Sequence, residues 1–377
     1  MFDALHGLIA WTPLGLPAFL FVITVVVFFH ELGHFLVARW CGVKVEVFSV
    51  GFGREIFGWT DKSGTRWKVS WLPIGGYVKF LGDANAASLP DPAAANLSDA
   101  ERKYTLGARP VWQRALVAAA GPVANFVLAV LLFTGLIFHN GHTVLAPIIG
   151  GVVKGSAAEE AGIHTGDRVT AIDGTEITDF EQMPEIISVS GGRTLNIDLV
   201  RAGKNLTLKV TPRATRIRDV LGDMSTNMVI GVHPSPTAPL TNVRYSLPGA
   251  FGAALSQTWD IMRTTVQGIG QMIRGHASAD QLRGPLGIAK MTRQVAIFGF
   301  MALLQLVAVL SVSIGLANLF PIPLLDGGHL LYYACEAVLG RPLGERAQDV
   351  GFRLGLVLVL GLVLLTTWND LARLNLF

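Results

Sequence analysis

The chain has 377 residues, of which 51% are hydrophobic and only 15% charged, and its mean hydropathy is +0.48. A soluble domain of this length is not that apolar, so the composition points to an integral membrane protein in a lipid bilayer. The net charge of +3 is not gathered into a basic, aromatic-interleaved stripe, which argues against nucleic acid as a partner.

Crossing the hydrocarbon core takes about 20 mostly apolar residues. Four stretches qualify: Leu14 to Val37, Trp112 to Phe138, Ile297 to Phe320 and Phe352 to Trp368. No Lys or Arg precedes Arg39, whereas ten lie between Arg39 and Arg109. The positive-inside rule therefore sets the N-terminus outside and the first long loop in the cytoplasm. The second long segment and the C-terminal tail are then extracytoplasmic. Residues 1–38 lack a basic start and a small-residue cleavage site, and read as an uncleaved first span. Cys41 and Cys335 follow spans that end on the reducing side and read as packing residues.

The first span contains "HELGH", residues 30–34. On a helix, positions i and i+4 share a face, so His30 and His34 can turn imidazole nitrogens toward one ion. Glu31 then stands beside that ion with a carboxylate able to take a proton from water. Two neutral histidines and a neighbouring base form the zinc-hydrolase pattern. A soluble enzyme of this kind would carry the motif on an amphipathic helix; this one is apolar on every side. A satisfied polar cluster and a proton relay in a transporter are the competing readings of ionisable groups at this depth, although no inverted repeat is visible. A tethered receptor with a merely structural metal would not need Glu31.

Residues 39–111 hold two apolar runs, "VKVEVFSVGFG" and "TRWKVSWLPIGGYVKFLG", which read as β-hairpins. An Ala-, Pro- and Asp-rich linker, "DANAASLPDPAAANLSDAE", follows. An exposed edge there, around Gly75 and Gly76, is placed to hold an unwound substrate by strand addition; a merely structural small cytoplasmic sheet is the alternative. Residues 112–138 form the second span, with Asn125 inside it. In residues 214–296, Phe251, Leu255, Trp259, Met262, Val266, Ile269 and Ile273 recur at helical spacing. They describe an amphipathic helix on the outer membrane interface or against a neighbouring domain.

A catalytic zinc needs a third protein ligand and an open position. The candidate is Asp326 in "NLFPIPLLDGG", at the end of the third span, residues 297–328. Pro321 and Pro323 forbid a regular helix, and Gly327 with Gly328 permits a tight turn, so Asp326 is expected on irregular backbone. A turn-forming Asx role is the alternative for Asp326 alone. His329 is left out, since a fourth ligand would close the site. The fourth span is 352–368.

"HELGH" with "NLFPIPLLDGG" is similar to the site-2 protease family of intramembrane zinc metalloproteases, bacterial RseP type. "AAAGPVANF", "SVGFGREIF", "WLPIGGYVKF" and "RGPLGIAK" extend the resemblance over nearly the whole chain. It implies Zn2+ as cofactor and cleavage within transmembrane segments of single-span membrane proteins in the bacterial inner membrane, such as anti-sigma factors or remnant signal peptides. It also implies a first loop that dips toward the metal and a substrate-positioning role for Asn318; Asn125 is a second candidate as an amide inside a span, and bonding a neighbouring helix is the alternative for both. Residues 146–213, with "GDRVTAIDG" and a short helix near Ala157 to Ala161, resemble a PDZ domain. Its expected groove is the edge at Ile149, Gly150 and Gly151, which would bind a trimmed substrate C-terminus; a steric filter that binds nothing is the alternative. Family members with two such domains differ here, where one fits. The expected fold is thus an α-helical membrane protein with four transmembrane helices, a membrane-associated β-hairpin loop and one inserted extracytoplasmic PDZ domain of α+β type.

Overall fold

The computed structural model describes residues 15–83, 97–218, 224–275 and 282–373. The start of the expected first span and most of the linker lie outside these residues. The chain divides into two units, Met1–Phe133 with Gly284–Trp368, and Thr134–Arg283 with Asn369–Phe377.

Helix α1, Gly15–Trp40, carries Pro17 in its first turn, where a missing amide costs nothing. It ends where Gly42 takes φ +74° and the Val43 amide reaches back to Ala38 O at 2.9 Å, a left-handed stop that glycine tolerates. Strands β1, Val45–Thr60, and β2, Arg66–Phe80, follow. The expected hairpins are one curled sheet. Val47 to Val50 lie between two stretches of β2, facing Lys79 to Gly76 on one side and Arg66 to Val69 on the other, while Phe57 to Thr60 pair back onto Val69 to Arg66. The curl needs sharp bends, and Gly51 and Gly53 supply them at φ +88° each. Phe48, 1% exposed, stacks on Trp67 at 4.4 Å and meets Phe35 of α1 edge-on at 5.6 Å, which fixes the sheet to the helix.

A capped turn, α2 (Asp99–Arg102), leads to α3, Val111–Asn140. Pro122 sits inside α3 and removes one ladder bond.

The second unit contains β3 (His142–Leu145), β4 (Ile149–Val152), α4 (Ala157–Glu160), β5 (Arg168–Ile172), β6 (Thr175–Glu176), α5 (Gln182–Ser188), β7 (Leu195–Arg201) and β8 (Lys204–Val210). After them come β9 (Arg213–Arg218), β10 (Met224–Val229), β11 (Val232–Pro234), β12 (Leu240–Val243) and α6 (Leu247–Ile273). Strands β6-β5-β7-β8 form one sheet, and β4 pairs with β11. Alternate residues of β7, Leu195, Ile197 and Leu199, are buried with Val169, Met183 and Ile149, the period-two pattern of a half-buried strand.

Two expectations change here. The core includes Ile230 and packs against Val232, so the domain extends past residue 213. The edge at Ile149 to Gly151 is also not free: β11 covers one side, and Ile149 exchanges bonds of 2.8 Å with Asp167 and Gly166 on the other. On α6, Ala250, Ala254 and Thr258 are buried, whereas Phe251, Leu255, Trp259, Val266 and Ile273 of the expected apolar stripe are exposed. The end of α6 reaches the α5 end through Gln271 Nε2, which donates to Val189 O at 3.1 Å.

The first unit resumes with α7 (Pro285–Ala296), α8 (Phe300–Asn318), α9 (Asp326–Leu339) and α10 (Glu345–Arg373). Gly299, at φ +98°, breaks the stretch read as a span from Ile297. Among the described residues, four helices, within α1, α3, α8 and α10, are long and apolar enough to cross a membrane. Val22, Val26, Leu128, Leu306, Val307 and Leu310 form the buried contact among α1, α3 and α8.

Asp167 in the second unit is 0% exposed and accepts from Arg201 Nε and Nη2 at 2.7 Å and from the His164 amide at 2.8 Å. Burial opposes its ionisation, but these donors and the Arg201 charge outweigh burial and hold the carboxyl below its ordinary 3.8. A depressed folded value stabilises the fold above the unfolded value, and that contribution is lost as pH falls through the folded one. Hydrogen-exchange protection factors in β5 and β7, corrected for the intrinsic pH dependence of exchange, are therefore expected to fall below about pH 4 in the wild type, and to lose this acid step in Asp167→Asn, whose protection is already low at neutral pH.

Candidate metal centre

The motif helix and the turn after α8 are separated by nearly 300 residues of chain, yet they meet. One ligand atom from each of His30, His34 and Asp326 lies within 4.8 Å of the other two, and among the described residues this is the one cluster of its kind. The three separations are 3.3 Å between the Nε2 atoms, 3.2 Å from His30 Nε2 to Asp326 Oδ2, and 3.4 Å from His34 Nε2 to Asp326 Oδ1. A tetrahedral zinc with bonds of about 2.0–2.1 Å separates its ligands by about 3.3 Å, so the triangle fits that ion. Oδ2 is buried and accepts no hydrogen bond, although His30 Nε2 is 3.2 Å away, which leaves its lone pairs available to an ion. The donor set, two imidazoles and a carboxylate, suits zinc chemically.

Each histidine is oriented from behind. His34 Nδ1 donates to Val117 O of α3 at 2.7 Å. His30 Nδ1 lies 3.3 Å from Asn125 Nδ2, while Asn125 Oδ1 is buried without a partner. Turning the amide by 180° lets Oδ1 accept from Nδ1–H and leaves Nε2 as the metal-facing atom. Asn125 is 0% exposed, and its side chain lies against His30 of the neighbouring helix.

Room for the imidazoles comes from glycine. A Cβ at Gly121 would fall 2.8 Å from His30 Nε2 and closer still to His34 Nε2, and one at Gly33 would strike the Ala120 carbonyl. Neither glycine was singled out by spacing; the signal available was a Gly-Pro pair in the middle of an apolar span.

A cavity of about 210 Å³ opens beside the cluster, lined among others by Glu31, Gly76, Tyr77, Arg114, Asn318 and His329. The backbone of Val78 bonds the Glu31 carboxylate. A Cβ at Gly76 would sit 3.2 Å from Glu31 Cγ and 3.0 Å from Val27 Cγ1, so the end of β2 runs directly past the carboxylate. Gly75, at φ +131°, lies against the Phe52 ring. Arg114 joins α3 to α9 by two bonds to Glu336, 2.6 and 3.0 Å. Asp326 is not on irregular backbone as expected: it is the first residue of α9, and the irregular stretch precedes it. Ile149, Gly150 and Gly151 belong to the second unit and are not part of this centre.

Residues 18–362 match the model of Peptidase family M50. A relative from Agrobacterium fabrum, provisionally named a zinc metalloprotease, is 44% identical over 94% of this chain and 95% of its own. The metalloprotease MmpA of Caulobacter vibrioides is 38% identical, covering 96% of each chain. Among solved structures, the PDZ domain of an SdrC-like protein from Listeria monocytogenes aligns with 25% of this chain and 87% of its own, at 23% identity and a TM-score of 0.18.

Two substitutions test the support around the ligands. Gly121→Ala is expected to expel bound metal, measured as zinc per chain in the purified protein. Asn125→Ala is expected to weaken zinc about 10–100-fold in chelator competition, as loss of an outer hydrogen-bond partner does.

Proposed function

We propose a function from this premise: the chain belongs to peptidase family M50 and is a zinc metalloprotease of the membrane. It cleaves peptide bonds within transmembrane segments of single-span membrane proteins, in a bacterial inner membrane, with the N-terminus and the second unit outside. His30, His34 and Asp326 hold the zinc, and Glu31 is the base. The observation that carries this reading is the glutamate beside the ligand triangle, opening onto the same cavity as a strand end.

Zinc supplies Lewis acidity when bound, making a water more acidic and a carbonyl more electrophilic. Glu31 takes the proton onto its carboxylate and returns it to the leaving amine. A helical substrate must first unwind and lose its internal hydrogen bonds. The end of β2 replaces them by strand addition along Gly76 to Phe80, and Gly76 lets that backbone approach Glu31. Asn318, on the cavity wall at the end of α8, orients the substrate backbone through its amide. Substrates of this class include anti-sigma factors and remnant signal peptides.

The second unit is a PDZ-like module that receives the C-terminus of a trimmed substrate. With β4 paired on both sides, the receiving edge is that of β11, which among the described residues bonds only toward β4 and its flanks.

Glu31→Gln is expected to retain one zinc per chain and to lose cleavage of a single-span substrate in proteoliposomes by at least about 10²-fold. Cleavage at the wild-type rate would remove Glu31 as base, and metal flux without cleavage would favour a transporter.

A further inference from the structure

The third ligand hangs on a turn that holds itself in an unfavourable shape. Leu324, two residues before Asp326, takes φ +96°, a region that L side chains rarely adopt and that persists only where the surroundings impose it. The turn from Leu319 to Leu325 folds back over the start of α9. A Cβ on Gly327 would strike the Leu319 and Phe320 carbonyls, and one on Gly328 would lie 2.5 Å from Ile322 O. These contacts tie the turn to α9, but they leave its outer side open.

Helix α10 closes that side. Its apolar window is 11% buried, so most of it faces away from the protein, yet Gly355 is buried. A Cβ on Gly355 would collide with the Pro323 carbonyl and come within 2.9 Å of Pro323 Cβ, and one on Gly351 would collide with the Tyr332 hydroxyl of α9. Tyr332 is six residues after Asp326, so the two glycines touch the chain on both sides of the ligand. Pro323 is the residue immediately before the strained one.

We infer that Gly351 and Gly355 make α10 the clamp that holds the Leu324 turn in its strained form and so positions Asp326 toward the two histidines. This rests on the reading of Asp326 as a zinc ligand. The glycines are positioning residues, and no substrate contact is assigned to them. Because α10 has few other buried positions, the clamp is its main seat against the turn, and displacement of α10 releases Asp326 without disturbing α1 or α3.

The test compares full-length variants in lipid nanodiscs by zinc affinity in chelator competition and by kcat and KM on a single-span substrate. Gly355→Ala is expected to weaken zinc by about 10-fold or more, as loss of outer-shell support does, and to lower kcat with KM unchanged. Gly361→Ala, whose added Cβ meets nothing within 4 Å, keeps both at wild-type values. Leu324→Gly, which accepts the same φ at no cost, keeps zinc, while Leu324→Val loses it because a β-branched residue resists positive φ. Wild-type zinc affinity and kcat in Gly355→Ala overturn the clamp. If that variant does not accumulate, equal affinities in Leu324→Gly and Leu324→Val overturn it instead. Asp326→Ala separates the two readings: full zinc retention there refutes Asp326 as ligand, whereas loss there with retention in Gly355→Ala refutes the clamp alone.

Discussion

The close approach of α1 to α3 is the constraint on which the rest of the first unit depends. Two imidazoles at membrane depth are tolerable only if each nitrogen has a partner, because an unpaired polar group there costs several kcal/mol. The partners are Val117 O and Asn125 on α3, and they reach the rings only because Gly33 lets the Ala120 carbonyl in and Gly121 leaves the rings their space. A larger residue at either position separates the helices, and both histidines then lose their supports together. Helix packing and site geometry are the same contact in this molecule.

The sheet beside the site obeys a related rule. Strand β2 approaches Glu31 at a glycine, while the aromatic contacts of Phe48, Trp67 and Phe35 hold the other end of the sheet to α1. The bent tip, by contrast, carries Phe52, Ile56, Phe57, Trp71 and Leu72 exposed. Apart from ring contacts of Phe52 with Tyr77 and of Phe57 with Trp59, these apolar surfaces are open, and contact with lipid removes the hydration penalty that water would impose on them. The same sheet is thus anchored to α1 at one end and carries open apolar surface at the other.

The cluster of His30, His34 and Asp326 was legible in the sequence because of its spacing: i and i+4 on a helix for the two histidines, and an Asp-Gly-Gly after two prolines for Asp326. The four helices long and apolar enough to cross a membrane were legible because length and hydropathy alone define them. What stayed hidden depends on tertiary contact. Gly121 and Gly33 look like any glycines in an apolar helix until the partner helix is present. Asn125 reads as a lone amide until His30 is found beside it. The edge at Ile149 looks free from its β-branched pattern, but β11 lies about 80 residues further on and no local signal announces the pairing. Helix α9 was missed because the glycines that open it are poor helix formers, and the close carbonyls of the preceding turn are what require them there.

The two halves of the centre differ in how their positions are enforced. His30 and His34 share one turn of a continuous helix, so their backbone separation is set by 3.6-residue geometry, and one neighbouring helix, α3, orients both rings. Asp326 owes its place to a turn with a strained residue, to two glycines of α9 packed under carbonyls, and to a bidentate Arg114–Glu336 tie on the far part of the same helix. Errors in such an arrangement accumulate, since each element can shift without breaking the others. Metal-ligand bonds nonetheless demand placement within a few tenths of an ångström. The aspartate side therefore needs more supports than the histidine side, and the close backbone contacts around residues 319–328 are the means by which a non-helical part of the chain is held to the tolerance that two packed helices give the imidazoles.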